Sequence, residues 1–169
     1  NNDGLVEFVF GGNTILSSGL EHIPGLSNPQ NTGEKFGINL EPVDDLNSDG
    51  KDELLICSKL SQGGDSGKVT LFSGGMPNSS WLEMSSPNQL LLGQHFGQSI
   101  SASGDINGDG FADLVIGNSG DLEQNTGYSS VEIRYGGTNG YSFDPDMSFQ
   151  SSMSGSLFGY DVEIINDLN

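Results

Sequence analysis

Two stretches of the chain carry the same pattern of acidic, amide and glycine residues: Asp45–Glu53 reads DLNSDGKDE, and Asp105–Asp113 reads DINGDGFAD. Each has oxygen-bearing side chains at positions 1, 3, 5 and 9 and glycine at position 6. Alternate side chains of such a loop can turn their oxygens towards one cation, and glycine permits the sharp turn. Hard oxygen ligands in a flexible ring favour Ca²⁺ over zinc or copper. The pattern predicts two calcium loops, with a pair of metal-free Asx turns as the alternative.

The EF-hand is excluded for both stretches, although it shares the first six loop positions. An EF-hand needs Glu at position 12 and a helix on each side. Position 12 is Ile56 in the first stretch and Ile116 in the second, and both lie in short apolar runs typical of buried strands. The loops are therefore expected to connect strands.

The loops belong to a tandem repeat. The dipeptide Phe-Gly begins at Phe36, Phe96 and Phe158, with spacings of 60 and 62 residues. An Asp-apolar-Asn phrase starts nine residues after each Phe, and its third copy runs from Asp167 to Asn169. A second marker, Val-x-apolar-x-x-Gly-Gly, recurs with nearly the same period, and its copies occupy residues 6–12, 69–75 and 131–137. Two markers that share one period predict repeated structural units.

Each unit is predicted to contain four short strands, separated by Gly, Ser and Asn clusters. The first strand follows Phe-Gly, the second is the apolar run after the loop, and the third alternates as in Val131–Tyr135. The fourth is the weakest, with candidates at residues 19–23, 80–84 and 147–150. We expect Phe36, Phe96 and Phe158 to occupy equivalent buried positions. The faces between units should be lined by Leu40, Ile100 and Val162.

Four antiparallel strands in about sixty residues predict an all-β fold built of β-propeller blades. We expect the end of a preceding blade at residues 1–35, complete blades at 36–95 and 96–157, and the start of a further blade at 158–169. This division gives eleven strands. A closed propeller needs about four to eight blades, so these residues form an incomplete ring. We expect a fragment of a larger propeller, and a subunit that assembles from copies is the alternative.

Composition restricts the possible partners and chemistry. The net charge is -18, from 5 Lys and Arg against 23 Asp and Glu. This charge argues against nucleic acid and anionic membrane surfaces as partners, and no apolar run of about 18 residues is available for membrane insertion. The single cysteine, Cys57, is expected to be a small buried hydrophobe. His22 and His95 are the only histidines, and we expect both to be surface or turn residues, so we predict no catalytic residues and no enzyme.

The repeats resemble FG-GAP repeats, the blades of the integrin α-subunit propeller and of many bacterial surface proteins. The shared features are Phe-Gly, the acidic loop and the following strand with its Gly-Gly end. The resemblance implies one calcium ion in each loop, held by side chains and by the carbonyl at position 7. In the first loop the ligands would be Asp45, Asn47, Asp49, the carbonyl of Lys51, and Glu53. In the second they would be Asp105, Asn107, Asp109, the carbonyl of Phe111, and Asp113. In the last unit, Asp167 and Asn169 would begin a third site.

Two features depart from the family pattern. Glu53 stands where Asp is usual, which predicts a looser site or a bidentate ligand on a longer arm. The Gly-Ala-Pro sequence that names the family is replaced at residues 57–59 and 117–119, where only Gly117 matches. This second departure weakens the expectation of integrin-like ligand binding more than that of the fold.

The resemblance implies a calcium-stabilised scaffold, extracellular or at the cell surface, that binds a protein or glycan. Its other partners would be the remaining blades of the same protein or neighbouring copies. The binding loops would lie opposite the calcium loops, at residues 25–34, 58–67, 86–94 and 118–126. Two alternatives stay open. One is the propeller domain of a secreted polysaccharide-active or hydrolytic enzyme. The other is a structural subunit of an extracellular matrix or filament, whose strand edges pair with neighbouring chains.

Overall fold

The computed structural model describes residues 5–9, 20–24, 34–60, 67–74, 82–85, 95–120 and 129–165. These ranges contain ten strands and no helix, and thus nothing helical that could cross a membrane. The strands are β1 (Leu5–Val9), β2 (Leu20–Pro24), β3 (Glu34–Val43), β4 (Glu53–Leu60), β5 (Gly67–Phe72), β6 (Leu82–Ser85), β7 (His95–Gly104), β8 (Asp113–Ser119), β9 (Ser130–Arg134) and β10 (Met147–Gln150).

The strands form three antiparallel sheets in which neighbours in sequence are neighbours in space. The first pairs β1 with β2, the second has the order β3-β4-β5-β6, and the third has the order β7-β8-β9-β10. The prediction of an all-β fold made of four-stranded antiparallel units is therefore confirmed. The prediction of eleven strands is wrong for the last unit, because its described part, residues 158–165, contains no strand.

The main core lies between the two four-stranded sheets. One cluster joins buried side chains of both sheets: Leu55, Cys57, Val69, Leu71 and Met84 from the first, and Phe96, Ile100, Ala102, Leu114 and Ile116 from the second. A smaller cluster joins β1 to the opposite face of the first four-stranded sheet: Val6, Phe36, Ile56 and Phe72. The first four-stranded sheet is thus packed on both faces, as expected of a propeller blade.

The Phe-Gly dipeptides have one backbone conformation but unequal burial. Phe36 and Phe96 are 4% and 1% exposed, and each is followed by a shift of strand register. The expectation of a buried ring is confirmed for these two residues and is wrong for Phe158, which is 44% exposed. Phe36 and Phe96 lie in strands paired with β4 and β8, whereas no strand in the described part of the chain pairs with residues 158–165.

The expectation for the faces between units holds only in part. Ile100 is 5% exposed and belongs to the main core, and Val162 is half-buried. Leu40 is 44% exposed, so the expectation is wrong for this residue. Leu40 pairs with Ile56, on the side of the sheet where the described core neighbour is Val6 of β1.

Glycine follows each Phe because the chain there lies against the preceding sheet. Gly97 and Gly159 have φ angles of 76° and 73°. A Cβ atom on Gly97 would lie 2.8 Å from Val69 Cγ2, and one on Gly159 would lie 2.4 Å from the carbonyl oxygen of Ser130. Gly117 is needed for the same contact, since a Cβ there would lie 2.1 Å from the oxygen of Gly159.

One hydrogen bond between successive units is repeated. The N–H of Ala102 donates to Glu41 Oε1 at 3.0 Å, and the N–H of Ile164 donates to Ser101 Oγ at 3.1 Å. Ser101 lies sixty residues after Glu41, at the matching place in its repeat. Residues 158–164 therefore lie on the second four-stranded sheet much as β7 lies on the first.

Candidate functional site

Two acidic loops join the first and second strands of the four-stranded sheets. The first, residues 44–52, connects β3 to β4, and the second, residues 105–112, connects β7 to β8. Because both sheets have the same strand order, the loops lie at equivalent ends of the two units. A divalent cation bound there would lie at the rim of the fold, between two strands that it joins.

The first loop is closed by side-chain oxygens that accept backbone N–H groups. Asp45 accepts from Asp49 at 3.0 Å and from Gly50 at 2.8 Å, through its two carboxylate oxygens. Asn47 Oδ1 also accepts from the N–H of Asp49, at 2.9 Å, and Asp49 Oδ1 accepts from that of Lys51, at 3.0 Å. The side chains at positions 1, 3 and 5 thus turn into the loop.

The second loop repeats this arrangement bond for bond. Asp105 accepts from the N–H groups of Asp109 at 3.1 Å and Gly110 at 2.7 Å. Asn107 Oδ1 accepts from that of Asp109 at 2.9 Å, and Asp109 Oδ1 from that of Phe111 at 2.9 Å. The hydrogen bond from Gly110 holds the pKa of Asp105 below its ordinary value of 3.8.

Both loops have left-handed backbone at positions 4 and 6. The φ angles are 61° at Ser48 and 84° at Gly50, and 79° at Gly108 and 94° at Gly110. Glycine at position 6 therefore permits the turn, as the sequence predicted. The sequence does not indicate the left-handed backbone at position 4, because only one of the two loops has glycine there.

The first loop gathers three carboxylates. Ligand oxygens of Asp45, Asp49 and Glu53 all lie within 4.8 Å of one another, and no other group of three acidic, histidine or cysteine ligands in the described ranges comes as close. Burial raises the pKa of Glu53 above its ordinary 4.5, and the charges of Asp45 and Asp49 raise it further. A divalent cation would remove this repulsion, and carboxylate and amide oxygens are the donors that Ca²⁺ prefers. The residues present therefore fit the predicted ion.

The acid at position 9 has a second role, which the sequence did not reveal. Glu53 is 4% exposed, and its Oε2 accepts the N–H of Leu46 at 2.7 Å. Its Oε1 accepts from Asn47 Nδ2 at 3.0 Å and from Ser73 Oγ at 3.4 Å. Glu53 thus closes its own loop and links it to the chain just beyond β5.

Asp113 has the corresponding role in the second loop. It is fully buried, and its Oδ2 accepts the N–H groups of Ile106 at 2.6 Å and Asn107 at 3.2 Å. Its Oδ1 accepts the N–H of Gly136 at 2.9 Å. The shorter Asp side chain therefore reaches the backbone beyond β9 directly.

The Gly-Gly marker packs against the same loops. A Cβ atom on Gly74 would lie 2.3 Å from the carbonyl oxygen of Asp52, and one on Gly136 would lie 2.2 Å from that of Ala112. Asp52 and Ala112 are at position 8 of their loops. The two sequence markers share one period because the end of the third strand lies directly on the loop.

The remaining candidates are placed as follows. Asp167 and Asn169 lie outside the described residues, as do most of the predicted binding loops. Cys57 is fully buried in the main core, as predicted, and burial raises the pKa of its thiol to about 12. His95 is half-buried, with its Nε2 3.1 Å from Lys59 Nζ.

Comparison with known proteins supports the repeat. Residues 96–131 match the family described as FG-GAP repeat. The chain is 34% identical to integrin alpha-PS5 of Drosophila melanogaster over 95 residues, which are 53% of this chain and 9% of that protein. It is 28% identical to integrin alpha-2 of Mus musculus over 132 residues, which are 71% of this chain and 11% of that protein.

The chain thus spans about a tenth of the length of these curated relatives. The family match begins at Phe96 and ends at Val131, so it includes the whole second loop and the strands β7 and β8. Together with the sheet topology, these matches show that the chain contains an FG-GAP repeat at residues 96–131, is similar to integrin alpha subunits, and folds into four-stranded sheets of the kind that form β-propeller blades.

Proposed function

We propose that the chain is part of a calcium-stabilised extracellular propeller that acts as a scaffold for a protein or glycan partner and has no enzymatic activity. The observation that carries the proposal is the approach of Asp45, Asp49 and Glu53 to within 4.8 Å. The proposed ligands are Asp45, Asn47, Asp49, the Lys51 carbonyl and Glu53 in the first loop, and Asp105, Asn107, Asp109, the Phe111 carbonyl and Asp113 in the second.

The proposed role of calcium is structural. Each loop joins two strands of a blade, and its position 9 acid is bonded to the segment after a third strand. An ion in the loop would therefore hold three strands of the blade in register. Extracellular calcium is present at concentrations that fill weak sites, and an ion that binds only the native state stabilises it by mass action.

We also propose the blade boundaries 36–95 and 96–157, with parts of adjoining blades at residues 1–35 and 158–169. Four apolar positions on the outer face of the second blade support a further blade there: Val131, Ile133, Met147 and Phe149. By strand pairing these correspond to Val69, Leu71, Leu82 and Met84 of the first blade. The latter four contact the main core, whereas Met147 and Phe149 are 42% and 47% exposed.

The partner would bind at the end of the blades opposite the calcium loops. There the chain passes from β4 to β5 and from β8 to β9, and by sequence these two connections, residues 61–66 and 120–129, are rich in Ser, Gly, Gln and Asn. Small polar side chains suit adaptable contacts with a protein or a glycan. This placement would separate the partner from the metal, so that calcium would act on binding only through the fold.

A calcium titration tests the proposal. We expect saturable binding by calorimetry, a higher melting temperature with calcium than with chelator, and loss of one site in Asp49→Ala and of the other in Asp109→Ala. Asp52→Ala is the matched control, since it removes the same charge from the first loop at a side chain outside the cluster. An unchanged melting temperature without saturable binding, or equal effects of Asp52→Ala and Asp49→Ala, would reject the calcium sites.

A further inference from the structure

The connection between β9 and β10 reaches across to the preceding blade. It contains twelve residues, 135–146, against nine, 73–81, in the same connection of the first blade. A Cβ atom on Gly140 would lie 3.1 Å from Leu71 Cδ2, so the backbone here contacts the first blade closely. Tyr141 is 4% exposed and belongs to the core shared by the two blades.

This connection and the first acidic loop face each other across a cavity of about 420 Å³. Thr138–Gly140 line it from the second blade, and Asn47 and Glu53 line it from the first. Two of the proposed calcium ligands of one blade therefore border a segment of the next.

Arg134 holds the segment in place. Its side chain is fully buried, and Nη1 donates hydrogen bonds to the carbonyl oxygens of Ser142, at 2.7 Å, and Phe143. Nη2 donates to Glu132 Oε2 at 2.8 Å. A guanidinium that bonds two successive carbonyls fixes the direction of the backbone between them. The first blade has Phe72 at the equivalent place and therefore lacks this clamp.

The clamp lies on the side of β9 that faces the first blade. Arg134 and Glu132 pair across the sheet with Leu114 and Ile116, which both belong to the core between the blades. Directly paired residues project from the same face of a sheet. Burial raises the pKa of Tyr141, and the charges of Asp113, Glu53 and Glu41 raise it further.

We propose that Arg134 is a positioning residue for the calcium loop of the preceding blade, Asp45–Glu53. By fixing residues 138–141 beside Asn47 and Glu53, it reduces the freedom that these ligands lose when an ion binds, which raises the affinity of the first loop. The coupling is reciprocal, so calcium in the first loop strengthens the contact between the blades. This inference rests on the proposed binding of calcium by the first loop.

The experiment measures each loop separately by calorimetric titration with calcium chloride. The Asp109→Ala background leaves the first loop, and the Asp49→Ala background leaves the second. We expect Arg134→Met to weaken the first loop about fivefold and the second loop clearly less, although Gly136, which donates to Asp113, lies close to Arg134. Lys68→Met is the matched control, because it removes a cation from the Lys68–Glu83 pair, on a different strand, and should change neither loop.

A second variant keeps the buried pair intact. Gly140→Ala places a methyl group 3.1 Å from Leu71 at a φ of 83°, so it displaces residues 138–141 while Arg134 and Glu132 remain. It should weaken the first loop in the same selective way. Gly140→Ala therefore tests the coupling between residues 138–141 and the first loop even if Arg134→Met fails to fold.

The outcomes separate this inference from the proposed function. Calcium binding that is lost equally from both loops, or from neither, in Gly140→Ala would overturn the coupling and leave the calcium sites standing. Absence of calcium binding in both single-loop backgrounds, before any change at Arg134 or Gly140, would overturn the calcium function and the coupling with it. Selective weakening of the first loop, with Lys68→Met unaffected, is the supporting result.

Discussion

Position 4 is the point at which the two acidic loops differ most in backbone strain. Ser48 has a φ of 61°, where Gly108 has 79°. A residue with a Cβ atom in the left-handed region costs about 1 kcal/mol or more, and glycine removes that cost at the expense of a more flexible unfolded chain.

We predict that Ser48→Gly raises the free energy of unfolding by about 0.5 kcal/mol, because relief of strain outweighs the added entropy of the unfolded state. Gly108→Ser is the reciprocal variant and should lower it. Urea denaturation in the presence of chelator measures both without a contribution from calcium. Changes of the same sign in the two variants would contradict the strain argument.

A prediction on pH follows from Glu53, whose pKa is raised above 4.5 by burial and by Asp45 and Asp49. A carboxyl group that binds its proton more tightly when folded destabilises the fold progressively as the pH rises from 4.5 through the folded pKa. In chelator, Glu53→Gln should therefore gain stability relative to the unsubstituted chain across that range. In saturating calcium the order should reverse, because the substitution removes an anionic ligand. The measurement is thermal unfolding at several pH values. If folding did not change the pKa of Glu53, the difference in melting temperature between Glu53→Gln and the unsubstituted chain would not vary across that range.

The sequence predicts the loop side chains at positions 1, 3 and 5 well, because alternation of oxygen donors is local. It could not show that Glu53 and Asp113 also bond to segments about twenty residues further along the chain. That role depends on which strand lies beside the loop. A position 9 acid that co-occurs with Gly-Gly is the signal that could have indicated it.

At the scale of elements, the contact between loop and third strand gives a steric prediction. A Cβ atom on Gly136 would lie 2.2 Å from the oxygen of Ala112, whereas one on the adjacent Gly137 would come no nearer than 3.9 Å to any atom outside its chain neighbours. Gly136→Ala should therefore destabilise the fold by about 1–3 kcal/mol, and Gly137→Ala should have little effect. Chemical denaturation of both variants provides the comparison, and equal losses would show that the contact is not needed.

Strand β9 also shows that alternation of apolar and polar residues does not identify the buried face of a strand. Alternation along Val131–Tyr135 predicts a strand, and β9 is a strand. The buried face, however, carries Glu132 and Arg134, while Val131 and Ile133 are only half-buried. Periodicity identifies two faces but does not say which one meets a neighbour. Here an ion pair with two backbone carbonyls makes burial of the charged face possible.

At the scale of the whole molecule, the two blades should respond differently to the same truncation. Leu71 is 7% exposed in the core between the blades, and its equivalent Ile133 lies on the outer face of the second blade. Leu71→Ala should cost about 2–5 kcal/mol, as for a buried Leu, and Ile133→Ala should cost clearly less in this chain. The comparison uses urea denaturation at low protein concentration. An equal cost would mean that the outer face is covered, for example by a second copy of the chain.

The order of the two four-stranded sheets follows from the sequence because two markers recur with a nearly fixed period. Burial of the Phe ring in the last unit could not be predicted in this way. The same Phe-Gly dipeptide has a buried ring at Phe96 and a 44% exposed ring at Phe158. Burial of a propeller strand depends on its neighbours on both sides, and this information lies outside the repeat itself.

The close packing of Gly74 and Gly136 against the acidic loops also limits how the length of these loops can change in evolution. The two blades differ in length elsewhere: six residues separate β4 from β5 and ten separate β8 from β9, whereas the acidic motif, counted from its first Asp to its position 9 acid, has nine residues in both blades. An added residue in the loop would push its position 8 carbonyl into a glycine that has no room to yield. The blades can therefore differ in length at their other turns and acquire new surfaces there, while contact with the third strand holds this turn to one length.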